Sequence, residues 1–378
     1  MIRSPFVLAV STLLGAIIGA GVFSLPYVVS KSGIVPALFY FLLVGAVVMI
    51  LHLCMGEVCL RTKEKYRLVG YANTYLGFKG KILTTCTLLV GTTGTLLVYL
   101  ILGGKFLTML LPGVLPIETL TVLLGLALSF LILYGIQLIS KIEFFTNAAI
   151  FLAVFGILLF ALPHIRAENF SLISFPDLFL PYGVMFFAFI GWAAVPEVAE
   201  LFKTHKEKGR FEHAIVWSSV LSVLLCVVFS FVVVGVSGAS TTEDALSGLT
   251  PFFGSLIIAV GAFFGLITIA DSFLIFGNYL KNSLKKDYGM PSPAAFLLAT
   301  GIPIALFLLG VRELIQVISV IGVFVGTIEG GVILAMFWQA KRKGDRNPEF
   351  SISLPLAFVL FLGLMLVLGA AAVLTLSP

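Results

Sequence analysis

The sequence predicts an all-α membrane protein of eleven transmembrane helices. They form two inverted five-helix repeats, with helices 1 and 6 discontinuous, and one extra C-terminal helix. Three observations predict this. The chain is 60% hydrophobic and 11% charged, against roughly 45–50% apolar and about 25% charged in soluble domains. Its Lys and Arg residues gather in alternate short connections. Its first and sixth apolar stretches are each interrupted near the middle by glycine and proline.

Apolar stretches long enough to cross about 30 Å of hydrocarbon run over 5–30, 34–59, 82–110, 119–139, 143–163, 180–202, 213–236, 251–279, 291–310, 314–340 and 352–376. The first is too long for a signal-peptide core and passes through a very short turn into the second, so it is expected to remain as a helix. No soluble domain, linker or low-complexity region is expected. Cys54, Cys59, Cys86 and Cys226 lie within or at the ends of apolar segments without zinc or disulfide-framework spacing, and read as small packing residues. The net charge of +5 sits in loops between spans and is not a nucleic-acid signal.

Orientation follows from the basic residues. With the N-terminus inside, nineteen of the 23 Lys and Arg fall in cytoplasmic segments: Arg3, 61–81, Lys141, 203–210, 281–286 and 341–346. Lys31, Arg166 and Arg312 fall outside, and Lys105 lies within the third span. The positive-inside rule therefore predicts a cytoplasmic N-terminus and an external C-terminus, most simply in the plasma membrane. The interrupted segments start five spans apart, an odd number, so the two halves are inverted. The expected division is 1–165, 166–345 and 346–378.

The first interruption reads Gly15-Ala16-Ile17-Ile18-Gly19-Ala20-Gly21-Val22-Phe23-Ser24-Leu25-Pro26, and the second Gly191-Trp192-Ala193-Ala194-Val195-Pro196. Taken alone, Gly15 and Gly19 also fit a GxxxG packing face. Two matched breaks favour another reading. Broken helices free backbone groups that lipid cannot satisfy, and such backbone is tolerated at membrane depth where it lines an enclosed cavity. Paired breaks in the two halves point to a transporter's binding site. A helix N-terminus after a break suits a carboxylate, and free carbonyls before it suit an ammonium group or a cation. A zwitterionic α-amino acid carries both charges and needs no charged side chain to hold it.

Two acidic residues lie deep in the spans, where ionisable groups are costly and functional by default. Asp271 stands ten residues before Lys281, about 15 Å along the helix, with Thr268 and Ser272 beside it. Its other reading is a protonated, hydrogen-bonded structural carboxyl. Glu329 sits among Gly326, Thr327, Gly330 and Gly331 and fits a packing, gating or coupling role. Lys105 is expected to snorkel outward, and Glu57 stands one turn before Arg61. His52 and His164 read as isolated, satisfied polar residues. Glu197 and Glu200 read as ion-paired at the inner end of the sixth span, where an inner gate could also lie. No metal cluster, Ser/His/Asp set or P-loop is present in the sequence, so ATP-driven transport and intramembrane catalysis are not expected.

Gly15 to Pro26 resembles the GxxIGAGxxxLP signature of the amino acid/auxin permease group, in particular its aromatic and hydroxy amino acid permease branch within the amino acid-polyamine-organocation superfamily. Phe186 to Glu197 is similar to that group's sixth helix, and Ile269 to Leu274 with Gly277 to Leu280 to its eighth. The resemblance implies a LeuT-type inverted-repeat fold and a secondary active transporter of neutral amino acids, including aromatic or other hydrophobic ones. Coupling to H⁺ or Na⁺ by alternating access is implied, with no cofactor beyond Na⁺ as a coupling ion. By position, the substrate carboxylate meets the N–H groups of Ala20 and Gly21, next to Gly19. The ammonium meets carbonyls of Ile17 and of Phe186, Phe187 and Ala188, with Gly191 at the second break. Tyr99, Phe189, Trp192 and Ile275 supply the side-chain pocket. The cation site takes the carbonyls of Gly15 and Ile18 and the oxygens of Asp271 and Ser272, with Glu329 as a further coupling candidate. The family usually carries Thr or Ser at Asp271, so this acid is expected to take up the proton or to ligate Na⁺. The fifth helix carries no lysine over 142–165 to serve as a built-in cation. The alternative is an amino-acid sensor on the same fold, although the loops offer little surface for a partner. A divalent-metal transporter would need ligands that the Ala16–Ile18 stretch and the Phe-rich sixth span do not offer.

Overall fold

The computed structural model describes residues 4–134, 156, 159–286 and 288–376, and every regular element among them is helical. The helices are α1 (Pro5–Ile17), α2 (Gly21–Ser32), α3 (Ile34–Arg61), α4 (Leu68–Leu110), α5 (Ile117–Tyr134), α6 (Leu180–Phe189), α7 (Val195–Ala199), α8 (His205–Lys208), α9 (Phe211–Ser237), α10 (Thr250–Lys286), α11 (Ser292–Leu308), α12 (Leu314–Lys343) and α13 (Leu356–Leu376). Six are long and apolar enough to cross a bilayer, or seven when the bent pair α1–α2 is taken as one span. Three shorter apolar helices, Ile117–Leu133, Leu180–Phe189 and Ser292–Leu308, accompany them. Ten of the eleven predicted stretches coincide with these helices; the fifth, 143–163, lies largely outside the described residues.

Both predicted interruptions are present. α1 stops at Ile17, where Ile18 turns out of helical geometry (φ −83°, ψ 81°) and the Gly19 N–H folds back onto the Ile17 carbonyl at 3.0 Å. α2 then leaves at 57° to α1. α6 stops at Phe189, Ile190 is extended (φ −62°, ψ 119°), and the chain re-enters a short helix only at Val195.

Two elements depart from the sequence boundaries. α4 starts at Leu68 rather than 82, because the chain is already helical before Gly77, whose left-handed conformation (φ 69°) bends it into the span. α10 runs to Lys286 rather than 279, and Gly254 (φ 75°) bends its first turn. The aliphatic run ends before the backbone helix does in α10, and begins after it in α4.

The helices sort into two packed groups. α1, α2, α3, α6 and α9 pack on one another, while α4, α5, α10 and α11 form the second group. α12 packs against α4 on one side and α6 and α3 on the other, with α13 outside it. Gly322 lets α12 approach so closely that a Cβ there would run into the Gly183 carbonyl of α6.

Segments assigned to one side by their basic residues meet in space. The Arg61 carbonyl accepts the Asp345 N–H (3.1 Å), and Asp345 accepts the Lys63 N–H (2.8 Å). Lys65 pairs with Glu200 (3.1 Å) and Arg67 with Glu197. At the other end the Ile34 and Val35 N–H groups bond the Ser171 and Leu172 carbonyls, and Arg312 pairs with Glu118 (3.2 Å).

Candidate functional site

The two breaks touch. A Cβ on Gly21 would lie 2.8 Å from the Ala188 Cα, and one on Gly191 would lie 2.5 Å from a side-chain carbon of Ile17. Glycine at both positions is what lets the interrupted backbones come together. The backbone accounting then leaves groups over. Among the described residues the N–H groups of Ala20 and Gly21 meet no acceptor, and the carbonyls of Gly15, Ile18, Phe187 and Ala188 meet no donor. The Ile17 and Phe186 carbonyls are already engaged, by the N–H groups of Gly19 and Ile190. Free donors therefore stand at the start of α2, and free acceptors at the ends of α1 and α6. That arrangement suits a ligand carrying a carboxylate and an ammonium group.

The second helical group supplies one wall. The Tyr99 hydroxyl of α4 lies 3.8 Å from where a Gly19 Cβ would be. Its ring contacts Phe276 (centroids 6.0 Å apart). Asp271 and Ser272 are both half-buried, and Ile275, one turn on, is 37% exposed. Phe186, Phe189 and Ala188 are buried, Phe187 partly so, and Phe189 packs on Phe41.

Trp192 is fully buried. Its indole N–H donates to Glu329 Oε2 at 2.5 Å, and Thr87 Oγ1 lies 2.7 Å from Glu329 Oε1. Glu329 thus joins the second break to α4. On the opposite side of the break, the Gly191 N–H donates to His52 Nε2 at 3.2 Å. An accepting Nε2 puts the ring proton on Nδ1, which faces Ser219 Oγ at 3.2 Å. His52 is thus a satisfied polar residue, as its sequence setting suggests. The ring is satisfied, and it is satisfied by the break itself. No periodicity or motif in the sequence marks that partnership. His164, in contrast, bonds its own helical turn at Phe160.

The structure also gives partners to Lys105, Glu197 and Glu200. Lys105 reaches out to Glu243 of the connection between α9 and α10 and pairs with it at 2.6 Å, both about one-quarter exposed. Glu197 and Glu200 are ion-paired as expected, with Arg67 and Lys65 of the connection before α4.

Two broken helices meeting at mid-span, with unpaired backbone donors and acceptors between two helical groups, define an integral, multi-pass membrane protein of the permease class. The model of the transmembrane amino acid transporter protein family matches residues 3–374, and the chain belongs to that family. It is similar to Glutamine transporter 2 of Aliivibrio fischeri, 22% identical over 380 residues, covering 94% of this chain and 97% of the relative. Among solved structures it is similar to the crystal structure of MhsT in complex with L-phenylalanine, at TM-score 0.68 and 13% identity, covering 100% of this chain and 98% of the other. The fold is that of the LeuT-type amino acid permeases.

Proposed function

We propose that the protein is a secondary active transporter of neutral amino acids, driven by H⁺ or Na⁺ and working by alternating access. The observation that carries this is the contact between the two breaks. It places the free N–H groups of Ala20 and Gly21 close to the free carbonyls of Phe187 and Ala188. No Lys or Arg lies in either break, 15–26 or 186–196, so the site suits a zwitterion better than an anion. A relative named for glutamine and a similar fold crystallised with phenylalanine both concern neutral amino acids.

The substrate carboxylate sits at the start of α2 and its ammonium at the ends of α1 and α6, with Tyr99, Phe189, Trp192 and Ile275 around the side chain. The coupling ion uses the Gly15 and Ile18 carbonyls with Asp271 and Ser272, or Glu329. The two halves are inverted repeats, residues 1–165 and 166–345, followed by an eleventh helix. The 61–67, 197–208 and 341–352 cluster faces the cytoplasm, as its excess of Lys and Arg requires.

The test is uptake of a labelled amino-acid panel into proteoliposomes under an inward proton gradient and, separately, an inward Na⁺ gradient. Accumulation of a neutral amino acid under one gradient is the expected result. Ligand binding without accumulation under either would favour a sensor.

A further inference from the structure

Glu329 lies at the middle of α12, 16 residues into a 30-residue helix, with about 22 Å of helix on each side. Its carboxyl is buried, and its two oxygens have one partner each, Trp192 Nε1 and Thr87 Oγ1. Thr87 Oγ1 has a second contact, 3.1 Å from the Thr84 carbonyl. Counting protons separates the two forms of the acid. A threonine hydroxyl has one proton to donate. If Glu329 is ionised, that proton goes to Oε1, and the Thr84 contact is left without a donor. If Glu329 is protonated, Oε1–H donates to Thr87, Thr87 donates to Thr84, and Trp192 donates to Oε2. Every short contact then has its hydrogen.

The surroundings favour the same form. α3 presents His52, its ring 6.2 Å from the Trp192 ring and both nitrogens engaged as a neutral imidazole. α4 presents Thr84 and Thr87. α6 presents Phe186 and Tyr182, whose hydroxyl donates to the Leu366 carbonyl of α13. The first basic residue further along α12, Lys341, is about 18 Å away along the axis and is held by Glu57 and the Ile352 carbonyl. Among the described residues no cation pairs with Glu329. A lone buried carboxylate at bilayer depth is far costlier than the neutral acid.

Thr87 and Glu329 stand on α4 and α12, two continuous helices packed along each other, whereas Trp192 stands in the break. A movement of the broken segment removes the Trp192 donor while Thr87 stays. We infer that Glu329 carries the coupling proton. The proton is bound at a carboxylate oxygen while Trp192 is seated and the site is dry; when Trp192 withdraws, water enters the space it leaves, takes the proton and solvates the carboxylate in place of the indole donor. This rests on the transport reading above and names H⁺ as the coupling ion.

The experiment has two arms on the full-length protein. Infrared difference spectroscopy of the purified protein, with ¹³C-labelled glutamate, looks for a protonated-carboxyl band at neutral pH that is absent from Glu329→Gln. Proteoliposomes of the wild type and of Glu329→Gln, whose amide reproduces both contacts of the acid, are compared in substrate counterflow and in accumulation under a proton gradient. The expected result is a Glu329 band, retained counterflow in the variant and loss of its gradient-driven accumulation. Accumulation by the variant at the wild-type level would overturn the proposal. So would absence of the band, even if the variant were inactive in every assay. Absence of wild-type counterflow for every neutral amino acid would instead sink the transport reading, and the band would still report whether Glu329 holds a proton.

Discussion

His52 Nε2 accepts the Gly191 N–H across 3.2 Å, so one side chain of α3 fixes the first free donor of the second break. His52→Ala would leave that buried N–H unpaired, at a cost of roughly 1–3 kcal/mol. His52→Gln offers a carbonyl oxygen in its place and should recover part of the loss. Denaturant unfolding in detergent together with counterflow would check this. Equal unfolding midpoints for His52→Ala and wild type would show that the bond contributes nothing.

Gly21 and Ala188 bring the two breaks into contact. In Gly21→Ala the new Cβ meets backbone, not the end of a flexible side chain. Backbone cannot yield cheaply, so the broken segments must separate, and overpacking of this kind costs about 1–3 kcal/mol. The expected outcome is an expressed, folded protein with weakened substrate binding and transport. A thermal-shift titration with the transported amino acid reads it directly. Undiminished binding in Gly21→Ala would argue that the contact is not needed to form the site.

Much of this was legible in the sequence, for physical reasons. Apolar run length and glycine-proline interruption are local properties, and they placed both breaks and ten of the helical stretches. The partners of polar side chains were not legible, because they depend on which helices pack together. Nothing in the residues around His52 points to Gly191, 139 positions away, and nothing around Trp192 points to Glu329. Lys105 reads as a snorkelling residue until the loop carrying Glu243 is placed over it. The start of α4 was misjudged because its first turns are amphipathic and helical without being apolar.

The acidic residues at the basic end of the molecule should respond very differently to substitution. Glu57 is fully buried and meets Arg61 at 2.7 Å, Lys341 at 3.5 Å and the Ile352 N–H at 2.8 Å. Removing it strands two part-buried cations and an N–H group, at a cost approaching the roughly 3–5 kcal/mol of breaking a fully buried pair. Glu197 and Glu200 are half exposed, with Arg67 and Lys65. Exposed pairs of this kind contribute about 0–1 kcal/mol and weaken further in salt. Glu57→Ala should therefore unfold at much lower denaturant, while Glu197→Ala and Glu200→Ala stay near wild type. A stability loss at Glu197 as large as that at Glu57 would mean that the exposed network is structural.

The pair of Lys105 and Glu243 joins α4 to the connection between α9 and α10. Asp244 shapes that connection by accepting the Leu246 N–H (2.9 Å) and the Ser247 N–H (2.7 Å), with Ala245 held at φ 62°. The same connection packs on both α9 and α10, one from each helical group. If the groups move against each other during transport, the ion pair restrains a segment that must accommodate the motion. Lys105→Met leaves Glu243 without its cation in a partly buried setting, whereas Lys105→Met with Glu243→Gln removes both charges together. The double variant should therefore be more stable than the single one. Denaturant unfolding of the two variants measures the difference. A double variant no better than the single would show that Lys105 acts through packing of its aliphatic stem rather than through its charge.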